Sequence, residues 1–257
     1  MNAARGRIVS PVAGEGRRLD SLDAWASALR PARSPAAAGS VPSAQGAAAA
    51  TAAGDAEAFR PTVRPGMALV MVLDDVGDDG ELVRMRGDRL VIGRSEGDLL
   101  VPHDISMSPR HALIERIGNA GWRLSDLDSG QGTFVRVASA RLKHGTLLQI
   151  GSTRLRFQAL DLTEGVLVEV RAGRDATRHE CHAPSTTIGR ADCGAGIGLT
   201  DPFVSPLHAT VHRSPRGWRI ENAGRNGLWV RIEAPVAMTV PSQFLCGEQR
   251  FAFQPLT

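Results

Sequence analysis

The sequence predicts an all-β protein: two tandem β-sandwich domains behind an N-terminal tail without a core of its own. Three observations carry this. From Met67 onward, short apolar runs alternate with polar residues and are separated by Gly, Asp, Ser and Pro clusters, the pattern of strands joined by turns. That texture occurs twice, with a period near 96 residues, too long for a solenoid repeat and right for one small domain. Residues 1–66 are instead rich in Ala, Pro, Gly, Ser and Arg, with too little bulky apolar surface to offset the entropy of ordering.

In the first repeat the strand candidates are residues 68–73, 82–86, 90–92, 112–117, 122–124, 134–137, 147–150 and 155–157. No helical pattern follows residue 66. The repeat is visible residue by residue. Val-Ile-Gly-Arg at 91–94 returns as Thr-Ile-Gly-Arg at 187–190, and Ser-Pro-Arg-His-Ala at 108–112 returns as Ser-Pro-Leu-His-Ala at 205–209. Gly121-Trp122-Arg123-Leu124 returns as Gly217-Trp218-Arg219-Ile220, and Gly132 matches Gly227. The expected domains are therefore 67–160 and 164–257, close enough to touch. Trp122 and Trp218 occupy equivalent strand positions and read as core; Trp229, matched with Phe134, reads the same way.

One island interrupts the tail. Leu19, Leu22, Trp25 and Leu29 share one face of a short helix over 17–30, which Pro31 would end. Such a helix is marginal alone in water, so it forms on a second protein or on the chain's own domains. The alternative is an unstructured tail with a chance pattern. Ser34 to Gly54 is uncharged, but two prolines, three glycines and a single bulky apolar residue, Val41, make it a linker and not a membrane span.

Charge and composition exclude several functions. The net charge of +3 resides in the tail, which holds eight arginines against five acids; residues 67–257 balance 22 against 22 and lack a nucleic-acid footprint. Lys143 is the sole lysine and sits in Arg-Leu-Lys-His, which rules out a Walker A loop and a kinase nucleotide site. No G-x-S-x-G elbow or H-E-x-x-H occurs. Cys181, Cys193 and Cys246 match no zinc or redox spacing and read as reduced thiols in a cytoplasm. His179-Glu180-Cys181-His182 does not form a metal set, because residues 179 and 181 of a strand face opposite to 182. Neither a metal nor a cofactor is expected.

The chemistry lies in turn-like segments. The first repeat offers Gly93-Arg94-Ser95, Ser108 through His111, and Asp128-Ser129-Gly130-Gln131-Gly132-Thr133. The second offers Gly189-Arg190, Ser205 through His208, and Gly224-Arg225-Asn226-Gly227-Leu228. An arginine fork, a serine hydroxyl and a Gly-rich turn at loop tips make a small anion site.

This order of Gly-Arg, Ser-x-x-His and a Gly-rich Asn turn resembles that of the forkhead-associated (FHA) domain, in both repeats. The resemblance implies an eleven-stranded sandwich whose loops bind phosphothreonine in an extended peptide. Carried over, Arg94 and Ser108 grip phosphate in the first repeat, with His111 bracing the loops; Arg190, Ser205 and His208 take those roles in the second. Gln131 stands where the family has Asn, and Gly130 lacks a side chain that often touches phosphate. The second repeat keeps Asn226, with Arg225 beside it as a second cation, but has Gly224 and Leu228 in place of Ser and Thr. Pro109 and Pro206 remove a backbone N–H next to the binding serine; Arg110 compensates in the first repeat, whereas Leu207 cannot in the second.

The resulting expectation is a cytoplasmic, bacterial, non-enzymatic adaptor that recruits a threonine-phosphorylated partner of a Ser/Thr kinase, and no nucleic acid or membrane. The competing reading is a scaffold that kept the fold and lost phosphate dependence. An enzyme ranks third, because no nucleophile–base pair is visible.

Overall fold

A computed structural model describes residues 7–8, 67–73, 80–118, 121–159, 161, 163–171 and 174–256; the 17–30 segment, with Leu19, Leu22, Trp25 and Leu29, lies outside them. The described residues form strands, one short 3-10 turn over Ala191–Cys193, and no α-helix. A two-residue strand β1 (Arg7–Ile8) pairs in parallel with Leu99–Leu100, so one piece of the tail joins a sheet where the sequence predicts none.

The first repeat supplies β2 (Ala68–Leu73), β3 (Glu81–Arg84), β4 (Arg89–Gly93), β5 (Leu99–Leu100), β6 (Ala112–Ile117), β7 (Gly121–Asp126), β8 (Thr133–Val137), β9 (Ser139–Leu142), β10 (Leu147–Ile150) and β11 (Thr153–Ala159). The second supplies β12 (Gly165–Arg171), β13 (Arg174–Cys181), β14 (Ser185–Arg190), β15 (Ile197–Leu199), β16 (Ala209–Ser214), β17 (Gly217–Asn222), β18 (Leu228–Arg231), β19 (Val236–Ala237), β20 (Ser242–Cys246) and β21 (Gln249–Pro255).

The pairing corrects the expected boundaries. Strands β9, β10 and β11 leave the first repeat and complete the second sandwich: β9 pairs with β17, β10 with β18, and β11 with β12. In return β19, β20 and β21 complete the first sandwich by pairing with β7, β8 and β2. Neither 67–160 nor 164–257 is therefore a sandwich in space; each sandwich joins one repeat's front to the other's back. Because β8 and β18 pair antiparallel with each other, Trp229 opposite Arg136 and Arg231 opposite Phe134, the two halves share a ten-stranded sheet.

Local sequence explains the crossing. Between β8 and β9 stands a single residue, Ala138, and residues 134–142 contain no Gly, Pro, Asn or Asp. The chain lacks a turn with which to fold back onto its own sandwich, and short connections of this kind favour exchange of strands.

Two cores follow the exchange. The first packs Ile92, Ile114, Trp122 and Leu124 against Phe244, Phe251 and Phe253; the second packs Ile188, Val211 and Trp218 against Leu148, Ile150, Leu155 and Phe157. Trp122 and Trp218 are core, as their positions predict. Phe134 and Trp229 are buried in neither core: with Leu245 they form a separate cluster on the opposite face of the ten-stranded sheet, at the crossing. Alternation causes this, since Val135 and Val230, their neighbours, take the core face.

Buried aspartates fasten the exchanged hairpins. Asp104 accepts the backbone N–H groups of Glu248 and Gln249 at 2.8 and 3.1 Å. Asp201 accepts Ser152 N–H and the hydroxyls of Ser152 and Thr153 at 2.8–2.9 Å. Burial alone would raise the Asp201 pKa; the bonds from Phe203, Thr153 and Ser152 outweigh it and hold the carboxyl below its ordinary value. Its contribution is thus present above the ordinary aspartate pKa and lost as pH falls through the lowered one. Asp201→Ala should cost roughly 3 kcal/mol in denaturant unfolding, because several charged hydrogen bonds go together; a loss under half of that would mean the hairpin is held by packing alone.

Candidate functional site

In each sandwich, three loops converge at one end. In the first, the turn after β4 brings Arg94 against the Ser108 segment, Arg94 N–H donating to Ser108 O at 3.0 Å. The glycine of Gly-Arg is required by this approach: a Cβ on Gly93 would overlap the Pro109 carbonyl, and one on Gly189 the Pro206 carbonyl. The Ser108 hydroxyl accepts Gly130 N–H at 3.0 Å, which leaves its own proton to donate outward. The second site repeats this, with Arg190 N–H on Ser205 O at 3.1 Å and Arg225 N–H on the Ser205 hydroxyl at 3.3 Å.

His111 and His208 sit beneath these loops, each fully buried. Ser108 N–H donates to His111 Nδ1 at 3.1 Å, so the ring proton is on Nε2, which donates to Gly132 O at 3.2 Å. His208 makes the matching bonds to Ser205 N–H and Gly227 O, both 3.0 Å. Burial lowers the pKa of both rings, against the opposing pull of those carbonyls, so both are neutral at pH 7. Each histidine thus ties the serine loop to the Gly-rich turn.

The two sites differ in what their arginines touch. Among the described residues, the side chains of Arg94 and Arg110 make no hydrogen bond or ion pair; Arg94 is half-buried and Arg110 exposed. Arg190 instead donates to Asp192 Oδ1 at 2.8 Å and lies 3.6 Å from Cys193 Sγ. The Asp192 hydrogen bond is the main reason the Arg190 pKa is raised. Glu96 stands at the same offset from Arg94 but forms no such pair; the second repeat has a 3-10 turn there, Ala191–Cys193, which aims Asp192 back. The second site therefore carries an internal anion. Asp192→Asn should strengthen phosphate binding there by about two- to fivefold, the effect of removing an exposed competing carboxylate; inorganic phosphate titrated against the Arg190 region by NMR would show no change if the pair is irrelevant.

Gln131 and Asn226 do not cap their own turns. Gln131 accepts a bond from Arg154 Nη1 of β11, and Asn226 Nδ2 donates to Phe203 O at 2.7 Å. Arg225 is exposed, its carbonyl held by Arg136 at 2.9 Å. Sequence reasoning missed Asp126, which organises the first Gly-rich turn by accepting Ser129 and Thr133 hydroxyls at 2.6 and 2.7 Å. It also missed Asp192, legible as an acid two residues after Arg190. Arg136, Arg154 and Arg231 were not legible, because only the strand exchange brings them to the loops. Gly132 and Gly227, both at positive φ, leave no room for a Cβ against the Arg231 and Arg136 side chains.

A family model described as FHA domain matches the chain twice, at residues 90–151 and 186–240. No curated protein matches the chain in sequence. Among solved structures, the chain is similar to the FHA domain of the CT664 protein from Chlamydia trachomatis, at 12% identity and a TM-score of 0.35, covering 74% of this chain and 99% of that one. It is similar to Mycobacterium tuberculosis EmbR, solved in complex with a low-affinity phosphopeptide, at 12% identity and a TM-score of 0.34, covering 74% of this chain and 25% of that one. A third similarity, at 24% identity and a TM-score of 0.24, covers 37% of this chain and 98% of a chain from an analysis of phosphothreonine-dependent FHA domain interactions. The two matched segments fall on the two repeats that carry the ordered loops, and the chain belongs to the FHA domain family, with two copies of the domain.

Proposed function

We propose that the chain is a non-enzymatic adaptor that binds threonine-phosphorylated peptide through the first loop cluster, with Arg94, Ser108 and Arg110 as phosphate ligands. One observation carries this choice: Arg94 and Arg110 have no partner among the described residues, while Arg190 is occupied by Asp192. A phosphothreonine brings about −1.5 to −2 charges, and two guanidinium forks with one hydroxyl proton match its oxygens. Family membership supports the reading, since FHA domains are phosphothreonine-binding modules. The partner is the product of a bacterial Ser/Thr kinase, met in the cytoplasm. The 17–30 segment supplies a contact to a second protein.

The scaffold reading is kept for the second copy, because Asp192 already supplies its anion and its front half completes a shared sheet. The test is titration with a degenerate phosphothreonine peptide library against its unphosphorylated twin. Wild type should bind only the phosphorylated library. Arg94→Ala should weaken that binding by about 10- to 100-fold, the loss of one or two charged hydrogen bonds, and Arg190→Ala by much less. Equal binding of both libraries would overturn the reading.

A further inference from the structure

The ten-stranded sheet has a second face, turned away from both cores, and at the crossing that face is a band of arginines. Registers place Arg154, Gln149, Trp229 and Arg136 in one row across β11, β10, β18 and β8. The next row holds Arg231, Phe134, Leu245 and Arg250 across β18, β8, β20 and β21. The exchange makes the band: Arg136 and Arg154 come from one repeat, Arg231 and Arg250 from the other.

Three of these cations, Arg136, Arg154 and Arg231, are brought together without carboxylate partners in contact. Among the described residues, Arg136, Arg154 and Arg231 form no ion pair. Arg136 donates to Gln243 Oε1 at 2.7 Å and to Arg225 O at 2.9 Å; Arg154 donates to Gln149 Oε1 at 3.3 Å and to Gln131 Oε1. Burial disfavours the charge on Arg136 and Arg154, and Arg250 and Arg231 respectively add repulsion; Glu248 and Asp104 favour the Arg154 charge from a distance. The Arg154 guanidinium carbon also lies over the Phe134 ring, 5.4 Å from its centre.

The band joins the two loop clusters. One end bonds Gln131 of the first site through Arg154, and the other bonds the Arg225 carbonyl of the second through Arg136. Strand β8 between them is five residues, roughly 17 Å. A peptide seated at Arg94 and Ser108 therefore has, within a few residues of its phosphate, a row of guanidinium groups with no carboxylate in contact.

We propose that this band is the docking surface for an acidic run in the same partner, Asp and Glu or further phosphates flanking the phosphothreonine. The proposal deepens the reading above by naming the class of peptide, and it rests on that reading. Charge complementarity selects the occupant: the tail carries a net positive charge, so it does not supply the anion. The run crosses over Arg154 and Arg136, because a cleft of about 330 Å³ beside Arg231 is walled by Asp126, Asp128 and Glu233, which repel it.

The test uses the full chain and four fluorescent peptides, with threonine or phosphothreonine, each with a neutral or an acidic flank, plus a single-stranded oligothymidine of matching length. At low salt the acidic phosphopeptide should bind about tenfold tighter than the neutral one. That ratio should fall below about threefold at 0.5 M salt and also in the Arg136→Gln/Arg154→Gln variant. Reading a ratio on one variant cancels any general loss at the pockets, and the salt series needs no variant. A ratio near one for wild type, or one unchanged by both salt and substitution, overturns the band while leaving the phosphothreonine reading intact. Acidic peptides that bind equally with and without phosphate, and lose binding in the variant, support the band and overturn the phosphothreonine reading. Failure of all four peptides overturns both. Oligothymidine binding tighter than the acidic phosphopeptide overturns the acidic-peptide occupant.

Discussion

Cutting the chain at a protease site placed between β11 and β12 should leave its two halves bound together. Each half owns strands inside the other's sandwich, so the severed pieces cannot part without opening both cores. The C-terminal half leaves Phe244, Phe251 and Phe253 in the first core, and the N-terminal half leaves Leu148, Ile150, Leu155 and Phe157 in the second. At roughly 1.5–3 kcal/mol per buried large apolar side chain, these seven contribute about 10–20 kcal/mol, against an association cost of roughly 4–15 kcal/mol. The Asp104 and Asp201 bonds to the exchanged hairpins add to them. The halves should co-elute in size-exclusion chromatography at sub-micromolar concentration and separate only in denaturant. Separation into two independently folded pieces under native conditions would show the contiguous arrangement instead, with boundaries where the sequence repeat puts them.

Replacing His111 should produce the largest single-residue loss. Truncation to alanine leaves Ser108 N–H and Gly132 O without their buried partner, and opens a cavity below the binding loops. Two unsatisfied backbone groups and the cavity together cost roughly 3–5 kcal/mol. The same histidines set a pH dependence. Their folded pKa values lie below the ordinary 6.5, chiefly through burial. The unfolded chain therefore binds more protons in the window below that value, and stability falls as pH drops from 6.5 toward the folded pKa. Protonation of Nδ1 also removes the acceptor for Ser108 N–H, so phosphopeptide affinity should fall in the same window. Urea melts between pH 5 and 8 test this: wild type should lose stability below pH 6.5, and the His111→Gln/His208→Gln double variant should show a flatter profile. Equal slopes would assign the acid loss to carboxylates.

The strands were legible because alternation and turn residues are local. Residues 112–117 and 147–150 were bounded to the residue, and the Gly-Arg, Ser-x-x-His and Gly-rich segments do meet at each sandwich end. What local pattern does not encode is partner choice between two similar repeats. Leu148 and Phe244 are equally good core residues for either sandwich, so composition cannot assign them. The one local hint was the turnless stretch through Ala138, and β9, which lies in it, has, like the two-residue β5, no predicted counterpart. Trp229 and Phe134 show the same limit: burial was legible, but the side of the sheet was not. Arg136, Arg154 and Arg231 acquire their neighbours only through the exchange.

The exchange also fixes an order of events during synthesis. In a contiguous arrangement the first sandwich would close while the second was still being made. Here β2 pairs with β21, residue 68 lying opposite 255, so the first sandwich waits until residue 255 has been made. Until then β2 through β8 lack the phenylalanines of β20 and β21, and the nascent segment's nearest substitute is its own β10 and β11. Long-range pairing of this kind folds slowly and keeps apolar surface open to wrong partners. The ribosome thus delivers the Arg94 loop and strands β4 to β7 of its sheet early, and the first pocket gains its full frame only when β19, β20 and β21 follow.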